Sequence, residues 1–185
     1  MSDPKKVAVL VGSLRKESFS LKLAKIAAAE APTSLSFQFL DFSKLPFFTQ
    51  DLEPTPPAEW TTFREEVKAA DAVLFVTPEY NRSVPGALKN AIDVGSRPYG
   101  QSVFNGKPAA VISTSIGGVG GFGSNHHLRQ SLAFLNMPTM GQPEAYIGGS
   151  GGLFDASGNL INEGTLEFLK NFGTAFATWI GKHSA

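Results

Sequence analysis

Three largely apolar runs constrain this chain most: Lys6–Val11 (KVAVLV), uninterrupted after its lysine, Ala72–Thr77 (AVLFVT) and Pro108–Thr114 (PAAVIST). A sheet with one wet face reads as alternation of apolar and polar residues. Unbroken runs of this length suit strands covered on both faces, as in a parallel sheet. Segments with helical spacing lie between them: Leu21–Ala29, Trp60–Ala70, Pro85–Val94 and His126–Leu135. Pro85 is expected at a first helical position, where its missing N–H costs nothing. Leu35–Asp41 alternates and reads as a second strand, Thr139–Gly148 as a weaker fifth strand, and Leu166–Ile180 as a last amphipathic helix. Strand and helix thus alternate five times. That order predicts right-handed crossovers and a five-stranded parallel sheet in the order 2-1-3-4-5, with helices on both faces. The 185 residues show no internal repeat or linker, so residues 1–185 are expected to form a single domain. In such sheets ligands lie beyond the carboxyl ends of the strands, where the strand order reverses. The loops after the first, third and fourth strands are therefore the ones to read.

Composition removes several classes of function. Lys plus Arg and Asp plus Glu both number 16, so the net charge is zero, which argues against broad nucleic-acid binding and leaves room for a local basic pocket. There is no cysteine, which excludes disulfides, thiolate catalysis and cysteine-ligated metals. His126 and His127 are adjacent and point apart on a helix, so no metal site is expected. No segment approaches the length of a membrane span, and a cytoplasmic location is expected.

The first loop, Gly12 to Ser20 (GSLRKESFS), puts Ser13, Ser18, Ser20 and Arg15 near the start of a helix. Unpaired N–H groups and the helix dipole attract anions there. Neither G-x-x-x-x-G-K-[ST] nor G-x-G-x-x-G is present in this loop, so it fits neither a nucleoside triphosphate nor a dinucleotide. Serines with one arginine suit a phosphate monoester, although Ser18 or Ser20 also reads as an ordinary N-cap. The third-strand loop, Thr77 to Gly86, is stiffened by Pro78 and Pro85 and carries Glu79, Tyr80 and Asn81, a suitable wall for a flat heterocycle. In the fourth-strand loop, Gly118–Gly123 matches G-x-G-x-x-G. It stands in the wrong unit for a dinucleotide fingerprint, and is read as a flexible wall of the ligand cleft.

Taken together, GSLRKESFS, TPEYNRSVPGALKNAID (Thr77–Asp93), GKP (Gly106–Pro108), STSIGG (Ser113–Gly118), HLRQSLAFL (His127–Leu135) and NEGTLEFL (Asn162–Leu169) resemble the NADPH-dependent FMN reductase family, and within it the bacterial quinone and chromate reductases. The resemblance implies a flavodoxin-like three-layer sandwich. It also implies FMN as cofactor, NADPH or NADH as co-substrate, and a homodimer or homotetramer. Ser13, Arg15 and Ser20, with Ser18 beside them, would take the FMN phosphate. Pro78, Glu79, Tyr80 and Asn81 would line the isoalloxazine; Ser113, Thr114, Ser115 and Gly117 would meet the flavin from the fourth strand. Where relatives commonly carry asparagine, tryptophan and proline, this chain has Ser20, Val94 and Ile116.

The implied activity is hydride transfer from NAD(P)H through FMN to quinones and similar acceptors, chromate among them, in a ping-pong sequence. In such an enzyme the cofactor carries the chemistry, so no catalytic side chain is nominated. Arg82 and Arg97 are candidates for drawing in an anionic substrate, with an intersubunit pair of Arg82 and Glu144 as the structural alternative. A flavodoxin-type electron carrier is the competing function; carriers of that kind usually present an acidic docking surface, and this chain is neutral.

Overall fold

The computed structural model describes residues 3–183. Its elements run β1 (Lys5–Val11), α1 (Phe19–Ala29), β2 (Leu35–Phe39), α2 (Ala58–Lys68), β3 (Ala72–Pro78), α3 (Gly86–Gly95), β4 (Ala109–Thr114), α4 (Phe122–Phe134), β5 (Ala145–Ile147) and α5 (Glu163–His183). The five strands form one sheet in the order β2-β1-β3-β4-β5, every neighbouring pair parallel. This is the flavodoxin-like three-layer arrangement.

The apolar runs are unbroken because each strand feeds two cores. Along β1, Ala8 and Leu10 face a cluster with Trp60, Phe63, Leu88 and Leu128 from α2, α3 and α4. The intervening Val7 and Val9 face Leu23 of α1 and Leu169, Phe172 and Phe176 of α5. Successive side chains of a strand point to opposite faces, so a sheet with two dry faces needs apolar residues at every position. Each fully buried Leu, Val or Phe contributes about 1.5–3 kcal/mol relative to exposure. Val94 is fully buried in the first core. Phe42 also belongs to that core, Phe48 stacks on Trp60 at 5.6 Å, and Phe47 is exposed.

Among the boundaries that differ from the sequence reading, three show a physical cause or bear on the sheet's edge. Pro85 is the N-cap of α3, not its first residue, with ψ 143°. Helix α4 begins four residues before His126, because Gly121 enters the left-handed region at φ 78° and turns the chain into it. Strand β5 keeps only Ala145–Ile147; upstream, Thr139 makes a lone parallel bridge to Ala109. Glycine supplies the positive φ that such a helix entry needs.

Candidate active-site cleft

The carboxyl ends of β1, β3 and β4 converge on one cleft of about 200 Å³, beyond the switch between β1 and β3. Gly12 makes the convergence possible. Its N–H donates to the Val76 carbonyl at 2.9 Å, and a Cβ there would stand 3.1 Å from both Leu88 Cδ2 and Thr77 Oγ1. The β1 loop can thus turn close against the end of β3.

The first loop contributes Ser13, Arg15, Ser18 and Ser20 to the cleft. Ser18 is the N-cap of α1: its Oγ accepts from the Leu21 N–H at 3.1 Å, while its own O–H stays free to donate. Ser13 Oγ likewise accepts from the Arg15 N–H. Ser20 lies in the first turn of the helix and is 1% exposed. One guanidinium and three hydroxyls therefore stand at the positive end of an eleven-residue helix.

Pro78, Glu79 and Tyr80 form the second wall. Beyond them, Tyr80 and Ser83 exchange backbone hydrogen bonds in a two-residue hairpin. Its central residues, Asn81 and Arg82, both have positive φ, at 52° and 63°. Asparagine tolerates that region; arginine there costs about 1–2 kcal/mol. The hairpin is held down by Glu79. Its carboxylate pairs with Arg82 at 3.1 Å and accepts from the Ser124 N–H at 3.1 Å. Helix α4 starts at a glycine cap with no side chain, so Glu79 supplies the acceptor its first turn lacks. Gly123 completes the fit: a Cβ there would lie 2.9 Å from the Arg82 carbonyl oxygen.

The third wall is Thr114, Ser115 and Ile116. Ser113 is not in it. Strand alternation turns Ser113 away, and its hydroxyl donates to the Gly120 carbonyl at 2.8 Å while accepting from Asn125 at 3.2 Å. Thr114 Oγ1 donates to the Ile147 carbonyl at 2.9 Å. Gly117 and Asn81 lie beside the cleft and do not line it. The glycine run is closely packed at Gly120 and Gly121. A Cβ on Gly120 would meet the Tyr146 carbonyl carbon at 2.4 Å, and one on Gly148 the Gly118 oxygen at 2.6 Å, so these glycines let two backbones pack in contact.

The two arginines proposed for substrate access part company. Arg82 sits at the cleft's edge, 79% exposed, and pairs with Glu79 of its own chain. Glu144 is engaged elsewhere: it accepts from the Tyr146 hydroxyl at 2.7 Å, and His126 Nε2 reaches the same hydroxyl at 2.9 Å. Burial, then the Glu144 carboxylate, pushes the Tyr146 hydroxyl up to about 12, so it remains a donor at neutral pH. Arg97 does not line the cleft. Its fork binds both oxygens of Glu53, at 2.7 and 2.8 Å, and lies over Phe48.

Sequence reasoning missed Phe19, Ile116 and Ser150. Ser150 is the notable one. It is fully buried, it lines the cleft, and among the described residues its Oγ is the one buried side-chain polar atom with no hydrogen-bond partner. A buried hydroxyl left in that state costs about 1–3 kcal/mol. The available signal was Gly148–Gly152, where Ser150 is the lone side chain between two pairs of glycines.

A doubly wound parallel sheet with a cleft lined by one arginine and several hydroxyls at its switch point is the architecture of the flavodoxin-like class. The sequence narrows the class: residues 5–151 match the NADPH-dependent FMN reductase pattern, and the chain belongs to that family. It is accordingly an oxidoreductase with FMN as cofactor and NAD(P)H as electron donor. The chain is 58% identical to a quinone reductase of Pseudomonas putida over 181 residues, covering 97% of both chains. It is 46% identical to a 2-hydroxy-1,4-benzoquinone reductase of a Burkholderia species, covering 95% of this chain and 96% of that one. Among solved structures, the flavoenzyme NAD(P)H:(acceptor) oxidoreductase FerB of Paracoccus denitrificans superposes with a TM-score of 0.91. That pair is 43% identical, over 98% of this chain and all of the other. The donor set fits FMN, since one arginine, clustered hydroxyls and an orphaned buried Oγ share one cleft at a helix start.

Proposed function

We propose that this chain is an FMN-dependent NAD(P)H:quinone oxidoreductase, working as a single domain over residues 1–185. The observation that carries the reading is the cleft, where Arg15 and the serines at the start of α1 face Pro78, Glu79 and Tyr80 across the β1–β3 switch. The quinone reductases of Pseudomonas putida and Burkholderia support the choice of acceptor.

In this reading Ser13, Arg15, Ser18 and Ser20 hold the phosphate, with the α1 dipole behind them. Pro78, Glu79 and Tyr80 line the ring system on one side and Thr114 and Ser115 on the other, with Asn81 and Gly117 beside them. Ser113 acts through them, fixing the β4 loop from behind. When bound, FMN supplies the redox chemistry, taking two electrons from NAD(P)H and giving them to the acceptor. The protein supplies position and access. Tyr80, 45% exposed, borders the entrance, and Arg82 beyond it attracts the phosphates of NAD(P)H or an oxyanion such as chromate. Donor and acceptor use the same entrance in turn, which gives ping-pong kinetics. Arg97, tied to Glu53, has no part in this.

The exposed apolar residues Phe122 and Phe134 on α4 suit a homodimer or homotetramer. Among the described residues no helix is long and apolar enough to cross a membrane, which is compatible with a cytoplasmic enzyme.

The test is to record the absorbance spectrum of the purified protein and add NADPH without oxygen. Flavin bands that bleach within mixing time are expected; bands that persist would point to an electron carrier. In Arg82→Ala, KM for NADPH should rise about threefold to tenfold while KM for a neutral quinone stays put. No change in either would remove Arg82 from substrate binding.

A further inference from the structure

The Gly148–Gly152 segment is chemically bare apart from Ser150, and the structure uses its glycines to bring that one side chain into the cleft. Gly149 takes φ 62°, in the left-handed region. Gly148 lets the segment approach the Gly118 carbonyl more closely than any side chain allows. The Ser150 N–H then donates to the Ser115 carbonyl at 3.1 Å, which fixes the residue against the end of β4. On its other side Phe154 stacks on Phe19 at 5.9 Å, tying the segment to the first turn of α1. The hydroxyl ends in the same cleft as Arg15, Ser18 and Ser20, buried and without a protein partner.

A serine held this firmly has no packing duty that alanine would not fulfil, and no hydrogen bond of its own to protein. Buried hydroxyls are ordinarily paired. The neighbours it shares the cleft with are donors to an anion, and a serine O–H donates equally well.

We infer that Ser150, from the loop after β5, is a further phosphate-binding residue of the cleft, donating its O–H to a phosphate oxygen of FMN opposite the serines of the β1 loop. The inference rests on reading the cleft as the FMN site. It adds a second strand end, that of β5, to the β1 end that holds the anion. The cradle is then lined from two loops, the one that leads into α1 and the glycine-flanked one after β5.

The experiment compares wild type with Ser150→Ala, full-length, freed of flavin and titrated with FMN and with riboflavin by quenching of flavin fluorescence. Riboflavin has the ring and ribityl chain and lacks the phosphate. Expected is an FMN Kd raised about tenfold in Ser150→Ala, from one lost charge-assisted hydrogen bond. The riboflavin Kd should stay within about twofold. The flavin-free variant should melt at or above the wild-type temperature, because an unpartnered buried hydroxyl has been removed. An FMN Kd within twofold of wild type overturns the assignment. So does an equal loss for FMN and riboflavin, which would place the contact on the ribityl chain or ring. A lower melting temperature with unchanged flavin binding would make Ser150 structural. If wild type itself fails to bind FMN, the reading of the cleft has failed, and that outcome is distinct because variant and wild type then behave alike.

Discussion

On the β3–β4 side of the cleft, most side-chain oxygens are directed at protein, with Ser115, which only accepts from the Gly117 N–H, as the exception. Glu79 holds Arg82 and the start of α4, Ser113 holds the Gly120 carbonyl, and Thr114 holds Ile147. On the β1–β5 side, the same kinds of oxygen are left able to donate. Ser13 and Ser18 only accept from local N–H groups, and Ser150 has no partner at all among the described residues. In the proposed reading one wall is scaffold and the other is receptor. The division matches what flavin binding asks: a planar ring needs a fixed surface, and a phosphate needs free donors. It also predicts that substitutions on the two sides fail differently, one set in stability and the other in affinity.

The scaffold side should break hardest at Gly120. Alanine there must adopt φ 64° and place a Cβ 2.4 Å from the Tyr146 backbone, which cannot swing away as a side chain would. The left-handed conformation and the overlap together should destabilise Gly120→Ala by about 3 kcal/mol. Thermal unfolding should show a Tm lower by about 10 °C for a chain of this size. A loss under about 0.5 kcal/mol would mean that the β4 loop yields easily and the scaffold description is wrong.

The receptor side should show the opposite pattern at Arg15, which is exposed and makes no ion pair among the described residues. Arg15→Ala should raise the Kd for FMN about 10- to 100-fold, as the loss of a charge-assisted hydrogen bond does. The Tm of the flavin-free protein should move by about one degree at most. If the Tm falls and the Kd holds, the two walls have been assigned the wrong way round.

How far sequence alone reaches is clear from individual residues. The strands β1, β3 and β4 were legible because two dry faces leave an unbroken apolar run. The gathering of Ser13, Arg15, Ser18 and Ser20 with Pro78, Glu79 and Tyr80 followed from the strand order. Ser113 was misplaced because a hydroxyl at a strand end does not say which face it takes; its partner Asn125 is fixed only once α4 is docked. Arg97 looked available because Glu53 is 44 residues away in sequence. The glycine run after β4 read as mobile because glycine permits both freedom and close contact, and only the position of β5 decides between them. Ser150 carried its own signal, a lone side chain in a bare segment, but it follows a strand too short for the pattern to mark its end.

Ser18 gives the finest test of the division, because it belongs to both categories. As N-cap it stabilises α1 by accepting from Leu21, and as receptor its O–H faces the cleft. Two substitutions separate the roles. Ser18→Ala removes cap and donor together, and should cost about 1 kcal/mol of stability along with several-fold in FMN affinity. Ser18→Gly removes the same donor, but glycine is itself a tolerated N-cap residue, so the stability loss should shrink to a few tenths of a kcal/mol. FMN affinity should fall equally in the two variants if the hydroxyl touches the phosphate. If affinity follows stability instead, recovering in Ser18→Gly, then Ser18 serves the site only by holding α1 in place. The receptor wall would then consist of Ser13, Arg15, Ser20 and Ser150 alone.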